Sequence, residues 1–117
     1  MKNIRVGVIG VGYLGRFHAH KYAAIPGVTM VGVADPDESQ AAKVAKECGC
    51  QALTDYHQLL PLIDAVSIAV PTSLHCQVAG ECLDRGIDVL LEKPMTVTLE
   101  EADLLIDKAR DGNLILQ

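Results

Sequence analysis

The sequence predicts an α/β fold: a doubly wound, mostly parallel sheet with helices on both faces, in a single domain. Three observations carry that prediction. Short apolar runs alternate along the chain with stretches whose apolar residues recur at helical spacing. Some runs, such as Ala65 to Val70, are apolar almost throughout, as strands covered on both faces are. The first run, Ile4 to Ile9, leads directly into Gly10-Val-Gly12-Tyr-Leu-Gly15, a glycine-rich turn where a strand becomes a helix.

Each element has its own signal. The first strand, Ile4 to Ile9, is followed by a helix from about Tyr13 to Ala24, and Pro26-Gly27 marks its end. Val28 to Ala34 is the second strand and stops at Asp35. Pro36 helps to start a second helix, where Ala41, Val44, Ala45 and Cys48 fall at i, i+3, i+4 and i+7 and Gly49 stops the run. A short strand at Gln51 to Leu53 precedes Thr54-Asp55, which can cap one or two turns holding Tyr56, Leu59 and Leu60. The run from Ala65 to Val70 ends at Pro71, which has no N–H for a strand ladder. Thr72 or Ser73 can then cap a helix reaching Arg85, closed by Gly86. Asp88 to Leu91 is another buried strand, broken by Glu92-Lys93-Pro94. The last helix opens with the capping box Thr98-Leu-Glu-Glu101, places Ala102, Leu105, Ile106 and Ala109 on one face, and ends at Gly112. Leu114 to Leu116 is a final short strand.

Composition bounds the function. The 117 residues, half of them apolar, suit one domain over residues 1–117. Ten basic residues stand against 15 acidic ones, for a net charge of −5, with no basic cluster, which argues against a nucleic-acid or anionic-membrane partner. No apolar run approaches the ~20 residues of a membrane span, and the N-terminus enters a strand without a signal-peptide layout, so a cytoplasmic location is expected. Cys48, Cys50, Cys76 and Cys82 lack the spacing of a metal or redox motif, so no metal site is expected and the thiols are taken as reduced and structural.

In a doubly wound sheet, ligands bind beyond the carboxyl ends of the strands. The residues that follow strand ends are therefore the candidates. Gly10 supplies conformational freedom, Gly12 lets a pyrophosphate approach the backbone, and Gly15 allows tight helix–strand contact, while Tyr13 and Leu14 open the helix with unpaired N–H groups. Asp35, 20 residues past Gly15, fits a ribose ligand, and its charge with no adjacent arginine favours NAD over NADP; as Asp35-Pro36 it is also a good turn former. Val70, Pro71 and Thr72 lie where a second strand end meets a helix, and His75 either faces solvent or touches the cofactor. Glu92 and Lys93 set an acid beside an amine at the last buried strand end. They are either a solvated surface pair or a site where the amine bonds a substrate hydroxyl and steadies the alkoxide as hydride leaves, with burial favouring its neutral form.

The Gly10-to-Gly15 turn with His18 three residues on, Ala69-Val-Pro-Thr-Ser-Leu-His75, and Glu92-Lys93-Pro94 resemble, in that order, the N-terminal domain of the glucose–fructose oxidoreductase, inositol dehydrogenase and MocA family. The resemblance implies a Rossmann-type NAD-binding domain of a sugar or polyol oxidoreductase. Under it the glycine turn holds the pyrophosphate, Asp35 the adenosine ribose, Val70 to His75 the middle of the cofactor, and Glu92-Lys93 the nicotinamide end. Lys93 matches the catalytic lysine. The family's substrate domain, which supplies a proton-transfer histidine and an oligomer interface, is not among these residues, so the chain is expected to bind NAD without turning substrate over, and a homo-oligomer is expected at full length. A non-catalytic NAD sensor is the competing reading, and Lys93 argues against it. Flavin or S-adenosylmethionine, which also use glycine-rich turns, are disfavoured by the Glu-Lys-Pro strand end.

Overall fold

The structure is a computed structural model and describes residues 3–93 and 95–117. Strands β1 (Ile4–Ile9), β2 (Val28–Ala34), β3 (Gln51–Leu53), β4 (Ala65–Ile68) and β5 (Asp88–Leu91) form one sheet in the order β3-β2-β1-β4-β5. Every pairing is parallel. The helices are α1 (Tyr13–Ala23), α2 (Glu38–Cys48), α3 (His75–Asp84) and α4 (Leu99–Asp111).

Alternation along the strands divides the core in two, because successive side chains leave opposite faces of the sheet. Val8 and Val33 pack with Ala19 of α1 and Val44 and Ala45 of α2. Their neighbours Ile9 and Ala34 belong to the other layer, with Val66, Ile68, Val78 and Leu83 and with Leu105 of α4. Ser67, fully buried in β4, is satisfied by the Tyr22 hydroxyl of α1 at 2.6 Å.

The register aligns the strand ends. Ile9 pairs with both Ala34 and Ile68, and Ile68 pairs with Leu91. One row of residues therefore closes β2, β1, β4 and β5, and whatever follows it gathers along a single edge. The chain runs outward from β1 to β3 and then returns to β4, so the β1–β4 boundary is the switch point of the sheet.

Several local expectations are refined. The cap of α2 is Asp37, whose side chain accepts from the Gln40 N–H at 3.2 Å; Pro36 only precedes it. Gly49 ends α2 in the left-handed region at φ 68°. The strand expected to reach Val70 ends at Ile68, and neither Thr72 nor Ser73 caps with its side chain: a 3-10 turn over Thr72–Leu74 leads into α3. The capping box of Thr98 and Glu101 is present, but Ile106 is 46% exposed while Leu105 and Ala109, four apart, are buried against the core. The final strand reduces to a parallel bridge between Leu116 and Val89. All four cysteines are free thiols, and burial pushes Cys82 up to about 12 and Cys50 up to about 11. Among the described residues no helix is long and apolar enough to cross a membrane.

Candidate functional site

Beyond the row Ala34–Ile9–Ile68–Leu91 lie Asp35, Gly10, Ala69 and Glu92. At β1 the chain turns sharply: Gly10 has φ 88°, and its N–H donates to the Ala34 carbonyl at 2.8 Å. A Cβ on Gly10 would stand 2.8 Å from the Ala69 carbonyl, and one on Gly15 only 1.6 Å from the Gly10 oxygen. At Gly12 a Cβ would meet nothing within 4 Å, so the space there is open. The first two glycine constraints are thus internal packing, whereas the third leaves room for something external.

Gly12 is also the N-cap of α1, with no side-chain cap and no acid in the first turn. The opening N–H groups of a helix carry partial positive charge, and an uncapped, open end suits an anion. Tyr13 is 91% exposed and Leu14 is half exposed, so what they offer a phosphate is their backbone.

Asp35 closes the other side of the turn. One carboxylate oxygen accepts from the Val11 N–H at 2.9 Å and the other from the Asp37 N–H at 2.9 Å. Each oxygen has a further lone pair for a ribose hydroxyl. Gln40, which sequence reasoning missed, donates its side-chain amide to the Val11 carbonyl at 2.6 Å, so the Val11 residue is held through both its N–H and its C=O. Nothing in the sequence flags Gln40, because its role depends on the angle at which α2 leaves Asp37. Next to Asp35 an apolar cleft between Ala34, Pro36, Tyr56, Val70 and Leu74 suits a flat heterocycle. Tyr56 is fixed at its rim by a hydrogen bond to Glu81 at 2.9 Å, and burial followed by that bond pushes its hydroxyl up to about 12.

The far end of the edge is built differently. Glu92 bonds back to the sheet through its N–H to the Ile68 carbonyl at 3.1 Å, and its carboxylate meets His18 Nε2 of α1 at 2.6 Å. Among the described residues His18 Nδ1 is buried without a hydrogen-bond partner, so Glu92 supplies the ring's hydrogen bond there. His18 entered the sequence reading only as part of a motif; its position one turn past Gly15 is the signal that it reaches this end. His18, Glu92, Lys93 and Met95 line a shared cleft. Lys93 is exposed, so the expected burial of its amine is not provided by the described residues. Pro94, the third member of that motif, lies outside the described residues.

His75 departs from both sequence alternatives. It is 1% exposed, with Nε2 2.8 Å from the Val70 carbonyl and Nδ1 3.0 Å from the Met95 carbonyl. Its ring nitrogens face the protein's own backbone, so neither solvent nor a cofactor is their partner. Val70 and Thr72 are half-buried and Pro71 is exposed, between the apolar cleft and the His75 bridge.

An open amide cradle, an acid placed for a ribose, an apolar slot and a lysine at the last strand end, ordered along one sheet edge, fit an extended dinucleotide. They define a nucleotide-binding domain of the oxidoreductase class. The chain belongs to the Gfo/Idh/MocA oxidoreductase family: the family model described as "Oxidoreductase family, NAD-binding Rossmann fold" matches residues 4–117. The chain is 49% identical over 116 residues to the UDP-N-acetylglucosamine 3-dehydrogenase of Acidithiobacillus ferrooxidans, covering 99% of this chain and 36% of that protein. It is 36% identical to the scyllo-inositol 2-dehydrogenase (NAD(+)) of Bacillus subtilis, covering 97% of this chain and 34% of the relative. Among solved structures, GenD2 from gentamicin A biosynthesis, in complex with NAD, superposes with a TM-score of 0.95 at 28% identity, over 99% of this chain and 34% of that one. The chain thus spans about a third of the length of the curated relatives it matches.

Proposed function

We propose that this chain forms the cofactor half of an NAD-dependent oxidoreductase acting on a carbinol carbon of a sugar, polyol or nucleotide sugar. The observation that carries the reading is the order of groups along one sheet edge, from the Asp35 carboxylate bonded to Val11 at 2.9 Å, through the open Gly12 cap, to Glu92 and Lys93. In this reading the amides of Gly12, Tyr13, Leu14 and Gly15 hold the pyrophosphate, Asp35 accepts from the ribose hydroxyls, Val70, Pro71 and Thr72 flank the middle, and Glu92 and Lys93 meet the nicotinamide end. His75 serves this site from behind the backbone. When bound, the nicotinamide group supplies a two-electron hydride acceptor or donor. Lys93, as the neutral amine, accepts the proton of the substrate hydroxyl as carbinol becomes carbonyl, and as the ammonium returns it in the reverse direction. Glu92, held against His18 Nε2 at 2.6 Å, stands next to Lys93 at this end.

NAD is preferred over NADP. Asp35 is followed by Asp37 and Glu38, so a 2′-phosphate meets only negative charge there. The 49% identity to a UDP-N-acetylglucosamine 3-dehydrogenase supports a nucleotide sugar as the substrate class, chosen by residues beyond this domain, and a homo-oligomer is the proposed state of the longer protein. Calorimetric titration with NAD and NADP, on the wild type and Asp35→Ala, tests the cofactor assignment. Tighter NAD than NADP, with the gap narrowed by Asp35→Ala, is the expected outcome. Equal binding of both by the wild type, or none, would overturn it.

A further inference from the structure

The main chain beyond β4 and the main chain beyond β5 separate where the sheet ends. Among the described residues, the last backbone bond between them is the Glu92 N–H to the Ile68 carbonyl at 3.1 Å. Past it, Val70 and Met95 lie on two separate segments, each packed against the core, and Lys93 lies on one of them. Among the described residues His75 spans the gap, with one ring nitrogen on each carbonyl, 2.8 Å from Val70 and 3.0 Å from Met95. Carbonyl oxygens only accept, so each contact is a hydrogen bond only when the facing nitrogen carries hydrogen. The doubly protonated ring makes both bonds; either neutral tautomer makes one. A histidine 1% exposed at the first residue of α3 is also anchored at its other end, because that helix packs Val78 and Ala79 into the core. The imidazole is therefore a strut of fixed length between the core and two strand tails.

We propose that His75 is a positioning residue that joins the tail of β4 to the tail of β5 and so sets where Lys93 stands. The proposal deepens the oxidoreductase reading and rests on it only for the meaning of Lys93. The strut itself is a property of the unliganded chain. Removing the ring takes this donor from the part-buried Val70 and Met95 carbonyls and loosens the Met95 side of the gap, whose side chain keeps its packing on the core, while β1, the glycine turn and Asp35 keep all their own bonds.

Two measurements on the 117-residue chain test it. The first is backbone amide order by NMR relaxation. In the wild type, Lys93 and Met95 are expected near the rigid value of about 0.85; in His75→Ala they are expected to fall below about 0.6, with Gly10 to Gly15, Asp35 and Glu92 unchanged. His75→Gln, which restores one side-chain N–H donor group, is expected to give intermediate values and guards against a misfolded alanine variant. Unchanged order at Lys93 and Met95 in a folded variant, or a uniform loss across the domain, would overturn the proposal. The second compares NAD with ADP-ribose by calorimetry. His75→Ala is expected to weaken NAD several-fold and leave ADP-ribose unchanged, whereas equal weakening of both contradicts a role confined to the nicotinamide end. If the wild type binds neither ligand the cofactor reading fails, and the relaxation measurement still decides the strut.

Discussion

The two ends of the sheet edge are held by different means. At the Asp35 end the backbone is fixed by short-range geometry: a left-handed Gly10, a helix packed against it at Gly15, and the Val11 residue held through its N–H by Asp35 and through its C=O by Gln40. At the Lys93 end the backbone leaves the sheet, and side chains reaching from distant elements, His18 from α1 and His75 from α3, hold it. The first end is a finished cradle, whereas the second presents an exposed lysine on a braced segment. A cofactor domain can thus be preformed for the constant part of its ligand and leave the reacting end for other surfaces to complete.

That contrast breaks most visibly at the glycines. Gly15→Ala forces a Cβ to within 1.6 Å of the Gly10 oxygen, and we expect a loss on the order of 3 kcal/mol in urea unfolding, enough to threaten the fold. Gly12→Ala places its Cβ in open space and is expected to change stability by no more than about 0.5 kcal/mol. It should still weaken NAD about tenfold or more, because the methyl occupies the approach of the phosphate. A stability loss at Gly12 equal to that at Gly15 would show that both glycines serve packing.

Asp35→Ala comes next. It removes both the proposed ribose acceptor and the Val11 bond, and NAD affinity should fall about tenfold, ~1.4 kcal/mol, by calorimetry. A smaller effect is expected from Thr98→Ala, which deletes the capping box of α4 and should cost about 1 kcal/mol of stability without touching NAD affinity. Any change in affinity there would mean that the α4 layer is coupled to the site.

The smallest effect is electrostatic and lies away from the edge. Hydrogen bonds from Arg16, and then from His20, hold the Glu47 carboxyl at about 2, below its ordinary 4.5. A depressed carboxyl contributes stability that is fully present above about pH 4.5 and is lost as pH falls toward 2. Thermal unfolding across that window should show a shallower acid limb in Glu47→Gln than in the wild type. Identical limbs would show that this surface cluster contributes nothing.

What was legible in the sequence follows the same division. The glycine turn, Asp35 and the capping box of α4 are short patterns read directly along the chain, and the parallel pairing of the strands follows from their alternation with helices. Gln40, the His18–Glu92 pair and the burial of His75 depend on which helix crosses which strand end, so no window of sequence contains them. Ile106 matches the helical repeat that predicts the buried face. The packed stripe on α4 is narrower than that repeat allows and includes only Leu105 and Ala109 as buried residues. Lys93 was recognisable by its neighbours, but its exposure was not, because burial depends on what covers the strand end.

The central claim is that one sheet edge carries the whole length of a dinucleotide, from Asp35 to Lys93. Amide chemical shifts followed by NMR during titration of this chain with NAD test it most directly. The account predicts the largest shifts at Gly10 to Gly15, Asp35, Val70, Thr72, Glu92 and Lys93, with those at Glu92 and Lys93 absent when ADP-ribose replaces NAD. Shifts confined to other faces of the domain, or an identical pattern with both ligands, would contradict it.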